Sequence, residues 1–200
     1  MLVNGDCTFI QTPQNKNILV DGGDNKYSVL LPYLLDKRII NIDYMIVSHF
    51  DSDHSNGLIE VMEKIKVKNI IISKQSEETQ EFIRFMKVAN EKNISIQEVS
   101  KGDKIYFDKY VYMDVLYPDK VLIFEDLNNN SIVTKLNYNK FSILFTGDIG
   151  VQAEKDILKE YDKDILQSTV IKIAHHGSGG SSDLSFLKAV NPEIALIGVR

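Results

Sequence analysis

Cysteine occurs once in the 200 residues, at Cys7, so an internal disulfide and a thiolate-rich zinc site are both excluded, and the chain suits a reducing compartment. Long apolar runs are missing too: the longest, "VLLPYLL" at 29–35, is interrupted by Pro32 and falls well short of the roughly 20 residues that span a bilayer. There is no basic excess. Lys and Arg number 23 against 28 Asp and Glu, a net charge of -5, which argues against bulk electrostatic capture of polyanions and leaves any nucleic-acid contact local. The opening "MLVNGDC" lacks a basic region followed by an apolar core, so it reads as no secretory signal. These absences point to a soluble cytoplasmic chain, and its length suits one substantial core, hence one domain.

What is present is alternation. Strands are predicted at 7–12 ("CTFIQT") and 18–20 ("ILV"), joined by the polar turn "PQNKN" as a hairpin. A helix follows at 26–37, a buried strand at 43–48, a helix at 55–66, a strand at 68–72, and a helix at 76–92 with Phe82, Phe85, Met86 and Ala89 on one face. From 94 the segments "ISIQEV", "KIYF", "YVYMDVLY", "SIVTKLNY" and "FSILFT" follow one another as an antiparallel block, and "NNN" at 128–130 is a short polar turn. Helix returns at 151–162, then a strand at 168–174, a helix at 183–190 and a last strand, "EIALIGV". Elements alternating in this way are the pattern of layered α/β proteins.

Histidine is scarce, and its placement carries the chemistry. Of four histidines, two lie in "SHFDSDH" (48–54) and two in "AHHGS" (174–178), each group just past an apolar strand. Residues two apart on an extended chain face the same way, so His49, Asp51 and Asp53 converge before the next helix, with His54 entering from the side. Imidazole and carboxylate together suit zinc, manganese or iron. Asp148, in "LFTGD", follows another strand, with Gly147 allowing a tight turn. Each piece also has a plain structural reading. Asp53 or Ser55 can cap the helix that follows, Asp148 can be a turn residue, and His175 and His176 can be a satisfied buried pair. A calcium loop is excluded, because Asn56 stands where it needs Gly and Met62 where it needs Glu. Lys172, by alternation on the face opposite His175, reads as a solvent-facing strand position or a phosphate contact. Lys64, Lys66 and Lys68 read as a solvated face near a helix C-terminus.

"HFDSDH" resembles the His-x-Asp-x-Asp-His variant of the metallo-β-lactamase superfamily signature, as it occurs in the C-terminal hydrolase domain of ComEC competence proteins. "VNGDCTFIQT", "ILVDGG", "NNNSIV", "LFTGD" and "IKIAHHGS" resemble further segments of that subgroup in the same order. The resemblance implies a four-layer αββα sandwich over residues 1–200. It implies His49 and Asp51 at one metal position, Asp53, His54 and His175 at the other, Asp148 bridging, and Asp53 and Asp148 as catalytic residues. Asp21 falls behind the ligands, and His176 is a substrate or supporting residue. The implied activity is hydrolysis of a phosphodiester, DNA above all, with one or two divalent ions (Zn or Mn), beside a membrane-spanning competence channel in trans or in a longer chain. There are departures. The third histidine of the wider superfamily is missing, leaving Asn130 or water in its place, and the opening is one residue short. Relatives continue past Arg200, so the domain is open to truncation at both ends. A metallohydrolase of small esters, lactones or phosphodiesters shares every ligand. A non-catalytic metal-binding module remains open as well, whereas a DxD glycosyltransferase has no use for "TGD" or "AHHGS".

Overall fold

Turn residues 13–16 fold β1 (Thr8–Gln11) back onto β2 (Asn17–Val20) as the expected hairpin, with Thr8 opposite Val20 and Gln11 opposite Asn17. The structure is a computed structural model that describes residues 5–24, 29–73, 79–121 and 126–198. The chain forms two compact units, one reaching to Glu98 and the other spanning Val99–Gly198.

In the first unit, helices and strands alternate as α1 (Leu30–Asp36), β3 (Asn41–Ile46), α2 (Ser52–Lys64), β4 (Lys66–Ser73), α3 (Gln80–Glu91) and β5 (Ser95–Val99). The sheet order is β1-β2-β3-β4-β5, with β2, β3 and β4 parallel and Val20, Ile46 and Ile71 in register across them. Parallel strands joined by helices are covered on their faces, which is why β3 and β4 turn apolar in their second halves, at Tyr44–Ile46 and Ile70–Ile72. The helices bury one stripe each: Leu31 and Leu34 of α1, Leu58, Ile59, Val61 and Met62 of α2, and Phe85 and Ala89 of α3 join Leu19, Met45 and Ile70 in one cluster. Phe82 and Met86 pack at its edge, so the predicted face of α3 is correct. Residues 25–28 and 74–78, where two predicted helices were to begin, lie outside the described residues.

Two expectations for this unit need correction. Helix α2 starts at Ser52 rather than at 55, so the extended stretch ends at Asp51 and only His49 and Asp51 share the two-residue alternation. The "ISIQEV" segment does not open the antiparallel block, because β5 is the edge strand of the first sheet. A strand of five residues carries no mark of which sheet it will join.

The second unit holds the antiparallel block: β6 (Lys104–Tyr106), β7 (Val111–Tyr117), β8 (Val133–Tyr138) and β9 (Phe141–Phe145), each paired with the next in antiparallel sense. Helices α4 (Val151–Glu160), α5 (Lys163–Leu166) and α6 (Leu184–Val190) flank this six-stranded sheet, whose far edge is parallel: β10 (Val170–Lys172) lies beside β9, and β11 (Ile194–Leu196) beside β10. The four-residue α5 is too short to leave a 3.6-residue period and was not expected. Ile157 of α4, Leu166 of α5 and Phe186 of α6 bury against Val133, Leu144 and Ile171. The chain is thus of the mixed α/β class expected, with two sheets flanked by helices.

Two hydrogen bonds in the first unit tie α2 to the loop that follows β2. Gly57 N–H donates to the Gly23 carbonyl at 2.9 Å and Gly22 N–H to the His54 carbonyl at 2.7 Å, so loop 21–23 lies directly on the α2 backbone. A Cβ on Gly57 would stand 2.0 Å from Gly22 O. Ordinary overpacking costs about 1–3 kcal/mol. Because the clash here is with backbone, Gly57→Ala is expected to cost more than about 3 kcal/mol in chemical denaturation, despite the higher helix propensity of alanine.

At the other end of β3, buried Asp43 accepts the Asn17 backbone N–H at 2.9 Å and the Lys68 ammonium at 2.6 Å. Burial acts to raise this carboxyl, but Lys68 and the Asn17 N–H outweigh it and hold the group below its usual range. A lowered folded-state pKa gives stability that is present above the unfolded value of about 3.9 and lost as pH falls through the folded one. Asp43→Asn is therefore expected to lose about 1–3 kcal/mol at pH 7 and progressively less below about pH 4, as urea titrations across that window will show.

Candidate metal centre

Strand β2 delivers Asp21 and strand β3 delivers the "SHFDSDH" segment to the same end of the first sheet, because the two strands are parallel and in register. Asp21, buried and with a left-handed backbone (φ 55°), turns its carboxylate back onto that segment. Oδ1 accepts the Ser48 backbone N–H at 2.8 Å, and Oδ2 accepts the Ser48 hydroxyl at 2.8 Å. His54 Nδ1 lies 3.0 Å from the same Oδ2. Asp21 is acceptor-only when ionised, so His54 carries its proton on Nδ1 and presents the Nε2 lone pair.

His49 is fixed by the same logic one step further on. Ser48 Oγ gives its only hydrogen to Asp21, so toward His49 Nδ1, 3.0 Å away, it acts as acceptor. His49 therefore also holds its proton on Nδ1 and presents Nε2. Both rings are wholly buried, with centroids 4.2 Å apart. An inner carboxylate or hydroxyl that fixes the tautomer of a histidine is the usual support of a metal-ligating imidazole. Ser48 is the residue that sequence reasoning missed here. Its position directly before the histidine was its only signal.

Phe50, between the two ligand candidates, points the other way. It is buried and meets Phe82 and Phe85 edge-on at centroid distances of 4.9 and 5.3 Å. That anchor leaves Asp51 half-exposed, its Oδ2 lying 3.7 Å from His49 Nε2. Asp51 occupies the N-cap position of α2, yet its side chain makes no capping bond. Its carbonyl, not its carboxylate, receives the Ser55 N–H and hydroxyl. Capping by Asp53 or Ser55 is thus corrected, since both lie inside the helix. A protonated His49 ring lowers the Asp51 carboxyl against the opposing effect of burial, and Asp51 is ionised at neutral pH. A ligand nitrogen of His54 lies within 4.8 Å of an Asp53 carboxylate oxygen.

The second unit brings together a smaller set. Asp148, buried, follows β9 through Gly147 at φ 54°, the tight turn expected there. Its backbone N–H donates to Ser131 Oγ at 3.2 Å, and Ser131 in turn donates to the Asn128 carbonyl. Asn129 Oδ1 accepts the Gly150 N–H at 2.9 Å. The "NNNS" turn therefore braces the Asp148 loop, a role that its polar composition alone did not reveal. Asn130 is wholly buried and donates to the Asp126 carbonyl at 3.3 Å. Of the histidine pair, it is His176 whose Nε2 approaches Asp148 Oδ2, at 3.6 Å. The His176 Nδ1 lies 3.2 Å from the Gly198 carbonyl, which as an acceptor places the proton on Nδ1. His175 comes first off the strand, but both residues have left-handed backbones (φ 47° and 53°), so strand alternation no longer sets their directions. The same break undoes the alternation argument for Lys172. That residue is 8% exposed in the central strand β10, not solvent-facing.

These residues fit a divalent cation. Two ligand atoms about 2.0–2.2 Å from a tetrahedral ion stand about 3.3–3.5 Å apart. The His49–Asp51 and His176–Asp148 atom pairs, at 3.7 and 3.6 Å, are close to that spacing and beyond the roughly 2.7–3.2 Å of a hydrogen bond. His49 Nε2 is buried and makes no hydrogen bond among the described residues. Each pair combines an imidazole nitrogen with a carboxylate oxygen, a donor set for zinc or manganese rather than a soft metal.

The chain is 28% identical over 96% of its length to ComE operon protein 3 of Bacillus subtilis, and 28% identical over 91% to competence protein ComA of Neisseria gonorrhoeae. It spans about a quarter of the length of these relatives (27% and 24%). Among solved structures, Igni18, a metallo hydrolase of Ignicoccus hospitalis, superposes with a TM-score of 0.64 at 14% identity, over 98% of this chain and 79% of that one. A family model described as "Metallo-beta-lactamase superfamily" matches residues 2–199, and the chain belongs to that superfamily.

Proposed function

We propose that the chain is a metal-dependent phosphodiesterase acting on DNA, with divalent cations held by its two ligand clusters. The observation that carries this reading is the paired geometry just described: an imidazole Nε2 facing a carboxylate oxygen at 3.7 Å in one cluster and at 3.6 Å in the other. The family resemblance supports a metal role for both clusters, since its ligand set draws on both stretches. In this reading His49, Asp51, Asp53 and His54 are the ligands of the first unit and Asp148 is a ligand of the second. His176 stands beside Asp148 in place of His175, on the strength of its approach to that residue. DNA is favoured because the curated relatives are competence proteins. The chain would work at the cytoplasmic side of a membrane channel supplied by a partner or by a longer product. No helix among the described residues is long and apolar enough to cross a membrane.

When bound, a divalent ion supplies a water acidified from 15.7 toward about 7 and positive charge for the scissile phosphate. The chain's own residues do the rest. Asp21 and Ser48 hold both imidazoles of the first cluster in the Nδ1–H tautomer, so neither ring must reorient as the ion enters. Asp51, ionised, contributes negative charge at the half-exposed rim. Asp53, in the first turn of α2, would orient the attacking water and take up its proton. Asp148 would hold an ion together with His176.

Three measurements test this. Asp21→Asn turns an obligatory acceptor into a group that can present an amide toward His54, and is expected to weaken zinc and manganese binding about 10–100-fold in chelator competition, with the thermal transition still cooperative. Elemental analysis of the purified chain is expected to find zinc or manganese. Single- and double-stranded DNA should then be cleaved in a metal-dependent way, at least about 100-fold more slowly by Asp148→Ala. Turnover of a lactone or thioester without cleavage of any phosphodiester would overturn the DNA assignment and leave the metal centre standing.

A further inference from the structure

Three consecutive residues, His175, His176 and Gly177, have φ of 47°, 53° and 77°. Left-handed backbone costs a non-glycine residue about 1–2 kcal/mol, and a run of it persists only where the surroundings over-determine the chain path. Here the surroundings are the first turns of α4. Glu154 is wholly buried, and its two carboxylate oxygens accept the backbone N–H groups of Ser182 and Asp183, the latter at 2.9 Å. Val151 N–H donates to the Gly180 carbonyl at 3.0 Å. Ser181 Oγ lies 3.0 Å from both the Ala174 and the Ser178 carbonyl oxygens, and Ser178 N–H returns to the His175 carbonyl at 2.8 Å. The far end of loop 174–183 is therefore tied to α4 and its near end is tied to the far end.

A buried carboxylate is a costly way to fill space, and burial raises the Glu154 carboxyl even against its two amide donors. An apolar residue among Ala153, Ile157 and their neighbours in the core would pack at lower cost. What a carboxylate adds is a two-point grip on backbone, and α4 is well placed to use it, since the helix begins three residues after Asp148.

We propose that Glu154 is the positioning residue of the second ligand cluster: by gripping Ser182 and Asp183 it holds loop 174–183 in the left-handed path that keeps His176 Nε2 facing Asp148 Oδ2. The proposal rests on the metallohydrolase reading for its purpose, but the grip itself is a property of the metal-free chain.

The experiment compares wild type with Glu154→Gln, which keeps the shape and loses one of the two acceptors, and with Ser181→Ala, which removes the tie across the loop. In metal-free protein, amide hydrogen exchange at 175–181 is expected to rise at least about tenfold in both variants, while exchange in β7 and β8 stays at the wild-type rate. With metal, zinc affinity by chelator competition is expected to fall about 10-fold or more, and the visible absorption of the cobalt-substituted protein should shift as the imidazole moves. Wild-type loop exchange in Glu154→Gln overturns the proposal whether or not metal binds. So do a wild-type cobalt spectrum and unchanged affinity in a variant whose loop has loosened. A wild-type chain that takes up no metal, with loop exchange still raised in the two variants, overturns the metallohydrolase reading and retains the grip.

Discussion

Everything at the C-terminal end of the first sheet depends on one contact between two stretches of backbone, the 21–23 loop lying on α2 with no side chain between them. Gly22 and Gly57 permit the approach, and the mutual hydrogen bonds of Gly22 with His54 and Gly57 with Gly23 hold it. At that distance the Asp21 carboxylate reaches two different parts of the histidine segment at once. A separation larger by one methyl group would leave it reaching neither. The proton positions on His49 and His54 follow from that contact, since both trace back to a single acceptor.

The two clusters solve the same problem by different means. In the first, regular structure does the aiming: a parallel strand pair in register, a helix start, and a buried phenylalanine that turns its neighbours outward. In the second, the aiming is done by an irregular loop whose strained dihedrals are held by Ser181 across the loop and by α4 from outside it. Regular structure is cheap to specify and hard to shift. An irregular loop needs more partners, but it can present a ring in a direction that no strand allows.

Much of the fold and the outline of the site were legible in the sequence, for identifiable reasons. The hairpin, the alternation of the first half and the buried stripe of α3 are local periodicities, which a chain cannot conceal. The histidine positions were legible because polar residues directly after apolar strands stand out. The membership of β5 in the first sheet was not legible, being a pairing between residues far apart. Nor was the burial of Lys172, because alternation fails where the backbone turns left-handed a few residues further on. Which of His175 and His176 approaches Asp148 was not legible for the same cause. Ser48, Ser131 and Glu154 went unnoticed because serine and glutamate are ordinary surface residues, and only the placement of their partners gives them a task.

Phe50 has a consequence of its own. In a pattern written His-x-Asp the middle letter looks like a spacer, free to vary. Here it is a wedge seated between two rings of α3, so the permitted occupants of that position are set by a helix some thirty residues downstream. Across descendants of this sequence, bulk lost at 50 should reappear at 82 or 85, and the trio should drift together while the residues on either side stand still.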